Sequence, residues 1–401
     1  MNVLFVTWDG PQVSYLEGLF LPIFHRLALR GWDFHVLQFT WRDRQRQQIS
    51  CQACAEAGLP YRSVFVWRRP VSLGALATAV KGARDIHRAV REWDIDVVMP
   101  RSVLPVFSSM LALRREPIPM VFDADGLPLD ERVEFGNMSS SDVFYRLLRD
   151  IEAEGVRRAD AILTRTNRAA DILLARAGAS TPPERFFLVG NGRDTDEFAL
   201  MDSKRRASFR AQLGISSDAP LLVYVGSLGG QYCLRDMLAL FSKILQRRPD
   251  ARFLILSGSP CLARSEIAGY ANVEDKIIID SVSSGDVPGY LAAADLGLAL
   301  RKPSFSMQAV APIKLGEYLL CGLPVVATVG VGDTSGISPD VGRLISHHDV
   351  YNLNDVACWF TDTVLPARER FRASCRKAGV EHFSLESTVD SYLEALNTVR
   401  P

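Results

Sequence analysis

The sequence predicts an α/β protein made of two doubly wound domains, each with a parallel sheet and helices on both of its faces. Short apolar runs alternate with longer amphipathic runs, which is the pattern of strands connected by helices. The same alternation starts again after residue 200. The length of 401 residues exceeds what one ordinary hydrophobic core contains, so two domains are expected.

The first half contains strand-like runs at residues 3–7, 34–39, 96–100, 119–122 and 161–164. Apolar residues at helical spacing fill much of the chain between them, and they predict helices at residues 15–29, 75–93 and 143–158. We therefore place the first domain at residues 1–190.

The segment at residues 188–198 contains Gly190, Asn191 and Gly192, which indicate a turn. It is either a linker loop or a hinge between the domains. Beyond it, strands are predicted at residues 221–225, 253–256, 276–280 and 296–300, and helices at residues 235–246 and 288–294. We place the second domain at residues 191–384 and a final helix within residues 385–401.

Residues 311–328 are the most informative stretch, because their pattern is that of a short helix, a glycine stop and a buried strand. Pro312 suits the first helical position, and Gly322 suits a left-handed residue just past the helix end, where Pro324 prevents continuation. Lys314 and Glu317 are three positions apart and share one face of the helix. A phosphate beside Lys314 and a sugar hydroxyl beside Glu317 would satisfy both side chains. The alternative is a salt bridge between them.

A glycine-rich turn follows the first strand of the second domain. Ligands of doubly wound sheets bind outside the carboxyl ends of the strands, so this turn is a candidate site. Its candidate donor-binding residues are Gly226, Ser227, Gly229 and Gly230, since glycines let backbone amides approach a phosphate closely. The alternative is a turn that only packs a helix against the sheet.

Arg301 and Lys302 directly follow the strand at residues 296–300. Two cations at this edge of the sheet suit a diphosphate, although each residue alone is equally consistent with a solvated loop. Together with Lys314 they place several candidate phosphate contacts at one sheet edge, and this convergence favours a functional site.

The candidate residues of the first domain also come directly after strands. They are Asp9 and Gly10 after the first strand, Arg101 after the third, and Asp123 and Asp125 after the fourth. Strand-end carboxylates can bind a sugar hydroxyl or act as a base. The alternative for the two later aspartates is that they cap a turn.

The charge and cysteine content exclude several classes of protein. The 46 basic and 46 acidic residues balance, whereas nucleic-acid-binding proteins usually show a basic excess. The seven cysteines are scattered, and the histidines include no pair at metal-ligand spacing, so we expect no metal site and a reducing, cytoplasmic compartment. We also expect no signal peptide and no bilayer-spanning run.

Two segments resemble the signatures of the retaining GT-B glycosyltransferases of family 4. One is PIKLGEY at residues 312–318 with GLPVVA at residues 322–327. The other is VGNGRDTDEF at residues 189–198, which is similar to the inter-domain segment PNGVDTxxF of that family. Both occur in the expected order, and the two-domain pattern covers nearly the whole chain.

The resemblance implies two Rossmann-like domains that face a central cleft and transfer a sugar from a nucleotide-diphosphate sugar with retention of anomeric configuration. It implies that the second domain binds the nucleotide, with Glu317 on the ribose, and that the first binds a glycan, lipid-linked or small-molecule acceptor. The final helix is expected to return to the first domain. We assign catalytic roles to Lys314, Arg301 and Asp123, a donor-binding role to Lys302, and no cofactor.

The chain departs from the family pattern at the donor site. The family usually has a glutamate where this chain has Ala309, so a sugar contact falls to Ser304, Ser306 or the backbone. The usual arginine and lysine after the first strand of the second domain are Ser227 and Tyr232 here. These departures leave two alternatives open: a catalytically silent nucleotide-sugar-binding subunit, and a nucleotide-sugar epimerase on the same scaffold.

An apolar stripe on the first helix offers a peripheral membrane contact as a further partner. Its residues are Leu16, Leu19, Phe20, Ile23 and Phe24. Arg26 and Arg30 lie close to this stripe in the sequence. Packing in the core is the favoured interpretation of this stripe.

Overall fold

The computed structural model describes residues 1–400 except 11–14, 42, 271–272, 333, 335–336 and 348–349. The chain divides into two compact units. The first consists of Met1–Gly190 together with Thr388–Pro401, and the second of Asn191–Ser387. Within the described residues, every helix is too short or too polar to cross a lipid bilayer.

The first unit is built on parallel strands. They are β1 Asn2–Asp9, β2 Asp33–Thr40, β3 Tyr61–Phe65, β4 Val97–Pro100, β5 Val121–Asp123, β6 Ala161–Thr164 and β7 Phe186–Leu188. They pair in the orders β3-β2-β1-β4 and β5-β6-β7. Isolated bridges between Val98 and Met120 and between Arg101 and Asp123 connect the two groups at β4 and β5. All of these pairings are parallel, as helical crossovers require.

Helices connect these strands. They are α1 Leu21–Ala28, α2 Arg44–Glu56, α3 Val71–Glu92, α4 Val103–Ala112, α5 Pro128–Phe135, α6 Val143–Arg158 and α7 Asn167–Ala177. A π-helical turn, Leu16–Phe20, leads directly into α1. The final helix, Leu385–Thr398, enters the first unit at Thr388.

The apolar stripe of the first helix belongs to the core and is not available to a membrane. All of its residues are buried, and Ile23 and Phe24 have no accessible surface. The ring of Phe24 stacks on that of Phe34 in β2, with 3.9 Å between the ring centroids. Packing in the core is therefore the correct interpretation of this stripe, and the membrane contact that it suggested is wrong.

The second unit contains a parallel sheet in the order β10-β9-β8-β11-β12-β13. Its strands are β8 Leu221–Val225, β9 Arg252–Leu256, β10 Ile277–Asp280, β11 Leu296–Ala299, β12 Val325–Thr328 and β13 Gly342–Ile345. Its helices are α8 Ser203–Gln212, α9 Leu234–Arg247, α10 Pro260–Ile267, α11 Val287–Ala293, α12 Ile313–Leu320, α13 Val350–Trp359 and α14 Arg368–Phe383. The final helix described above, Leu385–Thr398, is labelled α15.

Tyr318 holds α12 on this sheet. Its ring is fully buried against Gly297 of β11, where an added Cβ would lie 2.4 Å from Tyr318 Cδ2. Its hydroxyl accepts a hydrogen bond from the N–H of Val225 (3.0 Å) and donates one to the carbonyl of Leu298 (3.3 Å). Because these contacts tie α12 to the end of β8 and to β11, they place the residues of α12 at the carboxyl edge of the sheet.

We predict that Gly297→Ala destabilises the second unit, because the new methyl group overlaps the Tyr318 ring. The free energy of unfolding should fall by about 1–3 kcal/mol, which is the usual cost of overpacking a core. Urea-induced unfolding measures this change. Gly258→Ala is the matched control, since no described atom lies within 4 Å of its added methyl group. Equal stability losses in the two variants would contradict the proposed seating of α12.

Candidate functional site

The first turn of α12 brings Lys314 to the carboxyl edge of the second sheet. The helix begins at Ile313. Pro312 is its N-cap, so the proline lies one position before the first helical position that the sequence predicts for it. At the other end Gly322 has a φ of +76°, which confirms the predicted left-handed stop. The helix is therefore only eight residues long, and Lys314 stays within its first turn.

Lys314 is enclosed by aromatic rings and by the glycine-rich turn. Its Nζ lies 4.2 Å from the ring centroid of Tyr224 and 5.0 Å from that of Tyr232. It also lies 3.0 Å from the point that a Cβ of Gly226 would occupy, and Gly226 has a φ of +138°. Burial and, to a lesser extent, the charge of Arg301 lower the pKa of Lys314 to about 7, against the opposing effect of Glu317.

Arg301 shares Tyr232 with Lys314. Its guanidinium carbon lies 5.0 Å from the centroid of the Tyr232 ring, and its Nη2 donates to the Tyr232 hydroxyl at 3.1 Å. Its Nε is buried without a hydrogen-bond partner among the described residues. Within the described part of the chain, no carboxylate oxygen lies within 4.0 Å of the charged nitrogens of Lys314 or Arg301. The site thus holds two neighbouring basic side chains without a carboxylate in salt-bridge contact among these residues.

The glycine-rich turn after β8 is shaped by two residues with positive φ, Gly226 (+138°) and Gly229 (+142°). The hydroxyl of Tyr224 donates to the carbonyl of Ser227, and this hydrogen bond fixes the position of Ser227 near the start of the turn. No atom lies within 4 Å of the Cβ position of Gly229 or Gly230 among the described residues. The turn is therefore open on the side where a ligand would approach its amides.

Lys302 is exposed beside this turn. Its backbone N–H donates to the carbonyl of Gln231 at 3.0 Å, so this hydrogen bond connects the loop after β11 to the loop after β8. A cavity of about 710 Å³ is lined by Gly229, Gly230, Tyr232 and Lys302 together with residues of α9 and α10. Lys302 therefore faces the same space as the glycine-rich turn.

Glu317 does not pair with Lys314. Its Oε1 accepts hydrogen bonds from Nε and Nη2 of Arg193, both at 2.8 Å. Arg193 comes from the segment that the sequence predicts as a linker or hinge, and its backbone N–H donates to the carbonyl of Phe383. Since Oε1 takes both bonds, Oε2 is not part of this pair.

The position of the missing family glutamate is buried. Ala309 has no accessible surface and ends a 3-10 turn, Ser306–Ala309. Ser306 is also buried, whereas Ser304 is half-buried, and their hydroxyl oxygens are 3.4 Å apart. Of the two serines named as replacements, Ser304 is thus the more accessible.

The candidate residues of the first unit form one network of charged side chains at the carboxyl edge of its sheet. Arg101 donates to Asp125, and its Nε lies 3.8 Å from Asp123 Oδ2. Arg165, which the sequence analysis did not single out, donates from Nη2 to Asp123 Oδ2 at 2.9 Å. The same Nη2 lies 3.3 Å from the hydroxyl oxygen of Tyr392 in α15.

The two aspartates of this network differ in accessibility. Asp123 is fully buried between the arginines, so its geometry is that of a residue that positions them. The side chain of Asp125 is 33% exposed, and burial raises its pKa to about 6 against the opposing effect of Arg101. Asp125 is therefore better placed than Asp123 to contact a substrate.

Asp9 and Gly10 end β1 beside this network. Asp9 Oδ2 accepts hydrogen bonds from the Thr7 hydroxyl at 3.0 Å and from Gln38 Nε2 at 2.7 Å, and the residue is buried. A Cβ at Gly10 would lie 2.9 Å from a ring carbon of Trp41. Asp9 is thus held by its neighbours, and Gly10 gives the chain room to pass a tryptophan.

Family models match both halves of the chain. The model described as Glycosyltransferase Family 4 matches residues 23–197, and the model described as Glycosyl transferases group 1 matches residues 219–359. The chain belongs to the family 4-like glycosyltransferases. A curated relative of this glycosyltransferase, the D-inositol 3-phosphate glycosyltransferase of Kribbella flavida, is 27% identical over 357 residues, which cover 84% of this chain and 79% of the relative.

Solved structures show the same fold. This glycosyltransferase is similar to a glycosyltransferase from Rickettsia africae, with a TM-score of 0.75, 14% identity and coverage of 99% of this chain and 98% of that one. It is also similar to HepE of Anabaena in complex with UDP-glucose, with a TM-score of 0.71, 15% identity and coverage of 99% and 100%. These likenesses show the GT-B fold, with Rossmann-like halves.

We predict that Lys314 makes the stability of the glycosyltransferase depend on pH. In the unfolded chain a lysine keeps its proton up to its ordinary pKa of 10.5, whereas folded Lys314 loses it near pH 7. The unfolded state therefore binds more protons between these values, so the contribution of Lys314 to stability rises with pH. The free energy of unfolding of the wild type, relative to Lys314→Met, should increase from pH 7 to pH 9 in urea titrations.

Lys204→Met is the control for this experiment, because it removes an exposed ammonium group from α8 of the same unit. A difference between the wild type and Lys314→Met that stays constant over this pH range would show that the lysine is not desolvated.

Proposed function

We propose that the second unit binds a nucleoside-diphosphate sugar at the carboxyl edge of its sheet and stabilises the departing diphosphate with Lys314 and Arg301. The observation that carries this proposal is the cation pair without a carboxylate partner among the described residues. Two neighbouring positive charges that repel each other in a partly desolvated site favour an anion strongly. A diphosphate supplies the charge and the several acceptor oxygens that these side chains need.

The leaving group gains charge as the reaction proceeds. When the bond between the anomeric carbon and the diphosphate oxygen breaks, the diphosphate takes the electron pair. Preorganised cations and amides stabilise that charge more in the transition state than in the ground state. Lys314, Arg301 and the amides of the turn from Gly226 to Gly230 have this role in the proposal.

The remaining donor contacts follow from the positions of Glu317 and Lys302. Arg193 holds one carboxylate oxygen of Glu317, so the second oxygen is the one proposed to accept hydrogen bonds from ribose hydroxyls. Lys302 lies beside the open turn and adds a further contact to the phosphates. The complexes of HepE with UDP-glucose support this class of donor through the shared fold.

The acceptor is proposed to be a hydroxyl-bearing compound, a glycan, a lipid-linked sugar or a small polyol, bound by the first unit. Arg101 and the partly exposed Asp125 offer it a donor and an acceptor of hydrogen bonds. Asp9 and Asp123 position these groups. The name of the Kribbella relative, which contains an inositol phosphate, supports a polyol as the first acceptor to test.

The transfer is proposed to retain the anomeric configuration, in line with the family 4 signatures at residues 189–198 and 312–327. The acceptor oxygen forms its bond to the anomeric carbon on the face from which the diphosphate leaves. The proton of the acceptor hydroxyl passes to the departing phosphate oxygen. Nuclear magnetic resonance of the new glycosidic bond distinguishes retention from inversion.

We predict that UDP raises the melting temperature of the protein. We also expect the protein to take up protons when UDP binds at pH 8. At that pH part of the Lys314 population is neutral, and a bound diphosphate raises the pKa of the lysine, which then gains a proton. Calorimetric titrations in two buffers of different ionisation enthalpy measure this uptake. The uptake should be absent in Lys314→Met and present in Lys204→Met.

We further predict that Lys314→Met and Arg301→Gln each lower turnover by about 10²–10³-fold, the scale seen when one group that stabilises a developing charge is removed. Glu317→Gln should mainly weaken nucleotide binding. Release of UDP from UDP-sugars in the presence of acceptors measures turnover.

The same assay separates the alternatives. Conversion of the donor to an epimer without acceptor would indicate an epimerase, and nucleotide binding without any donor consumption would indicate a silent subunit. Full transfer activity in Lys314→Met would overturn the assignment of the leaving-group site.

A further inference from the structure

Three side chains with different donor atoms meet at one point of the second unit. Cys233 directly precedes α9, Asp236 lies in the first turn of α9, and His347 follows β13. Cys233 Sγ, an oxygen of Asp236 and a ring nitrogen of His347 all lie within 4.8 Å of one another. The sequence analysis expects no metal site. This cluster joins residues from segments 111 positions apart in the chain, which no local spacing reveals.

The geometry is not that of a nucleophilic triad. In such a triad the histidine contacts the nucleophile with one ring nitrogen and the carboxylate with the other. Here the same atom, His347 Nδ1, lies 3.5 Å from Cys233 Sγ and 2.9 Å from Asp236 Oδ2. The donor atoms therefore surround one point instead of forming a relay.

The separation of the sulfur and nitrogen atoms fits a tetrahedral metal ion. Zinc–sulfur and zinc–nitrogen bonds of about 2.3 and 2.0–2.1 Å at a tetrahedral angle place the two ligand atoms about 3.6 Å apart. The observed distance between Sγ and Nδ1 is 3.5 Å. The 2.9 Å between Asp236 Oδ2 and His347 Nδ1 is that of a hydrogen bond, so the carboxylate must move away by a few tenths of an ångström when a cation binds.

We propose that Cys233, Asp236 and His347 bind a thiophilic divalent cation of the Zn²⁺ class. Binding replaces the thiol proton, so one cation enters and one proton leaves as the metal–sulfur bond forms. A thiolate, an imidazole and a carboxylate together exclude Mg²⁺, which requires an octahedron of oxygen ligands.

The site leaves a fourth coordination position open towards a cavity. Cys233, Asp236 and His347 line the cavity of about 710 Å³ that also contains Gly229 and Lys302. An open position on a three-ligand zinc site takes water or another oxygen ligand. The cation would also link the chain after β13 to the start of α9. It would thereby stabilise the loop that connects the glycine-rich turn to α9.

Titration of the purified full-length protein with Co²⁺ tests the proposal. Thiolate coordination gives Co²⁺ a charge-transfer absorption in the near ultraviolet, and tetrahedral geometry gives it strong visible bands. We expect both signals to saturate at one equivalent and to disappear when Zn²⁺ is added. Excess Mg²⁺ should leave them unchanged.

Variants assign the signals to the three residues. Cys233→Ser should abolish the charge-transfer absorption, and Asp236→Asn and His347→Ala should each weaken Co²⁺ binding by tenfold or more. Cys261→Ser is the matched control, since Cys261 is an exposed thiol of α10 in the same unit. Circular dichroism and melting temperature report whether each variant is folded.

Absence of the charge-transfer signal in the wild type, or its survival in Cys233→Ser, would overturn the proposal. If Cys233→Ser does not fold, unchanged Co²⁺ affinity in both other variants would overturn it. The hydrogen-bonded cluster would then be only structural. Nucleotide binding is measured separately, so failure of the metal site is distinguishable from failure of the proposed glycosyl transfer.

Discussion

The candidate donor site depends on two neighbouring basic side chains, Lys314 and Arg301, that have no carboxylate within 4.0 Å among the described residues. Tyr224 and Tyr232 make this arrangement tolerable, because their ring faces attract cations at the distances observed. The rings attract the cations but do not neutralise them. Burial of Lys314, together with the nearby charge of Arg301, lowers the pKa of its ammonium group to about 7. A site built this way is stabilised by the ligand that it binds.

In the first unit, by contrast, the charged side chains have ion-pair or hydrogen-bond partners. Arg101 and Arg165 are matched by Asp123 and Asp125, and the carboxylate of Asp9 is held by hydrogen bonds. Arg101 Nε and Arg165 Nη1 are nevertheless buried without a hydrogen-bond partner among the described residues. The two sheet edges therefore differ in charge: among the described residues, the second has basic side chains without a carboxylate within 4.0 Å, and the first pairs its arginines with aspartates.

Much of the fold and part of the site could be predicted from the sequence, because they depend on local pattern. The helix of Lys314, its glycine stop and the glycine-rich turn are encoded within a few neighbouring residues. The sequence analysis does not predict the strands Tyr61–Phe65, Phe186–Leu188 and Gly342–Ile345, because each is at most five residues long and only partly buried.

The site residues that the sequence analysis missed were missed for a different reason: their partners lie far away in the sequence. Tyr232 was interpreted only as the loss of a family lysine, although it contacts two cations across the sheet edge. Arg165 and Arg193 have partners 42 and 124 positions away. No local period marks contacts of this kind, so they become visible only when the chain is folded.

The final helix has a consequence for biosynthesis. Val389 and Tyr392 are completely buried, and Thr388–Pro401 belong to the unit that begins at Met1. That unit therefore cannot be completed until Thr388–Pro401 have been synthesised and have left the ribosome. The unit from Asn191 to Ser387 is continuous, and it can finish first although it is translated later. At about 5–20 residues per second, the nascent amino-terminal half waits on the order of ten seconds or more for its missing helix, a period in which a chaperone could protect it.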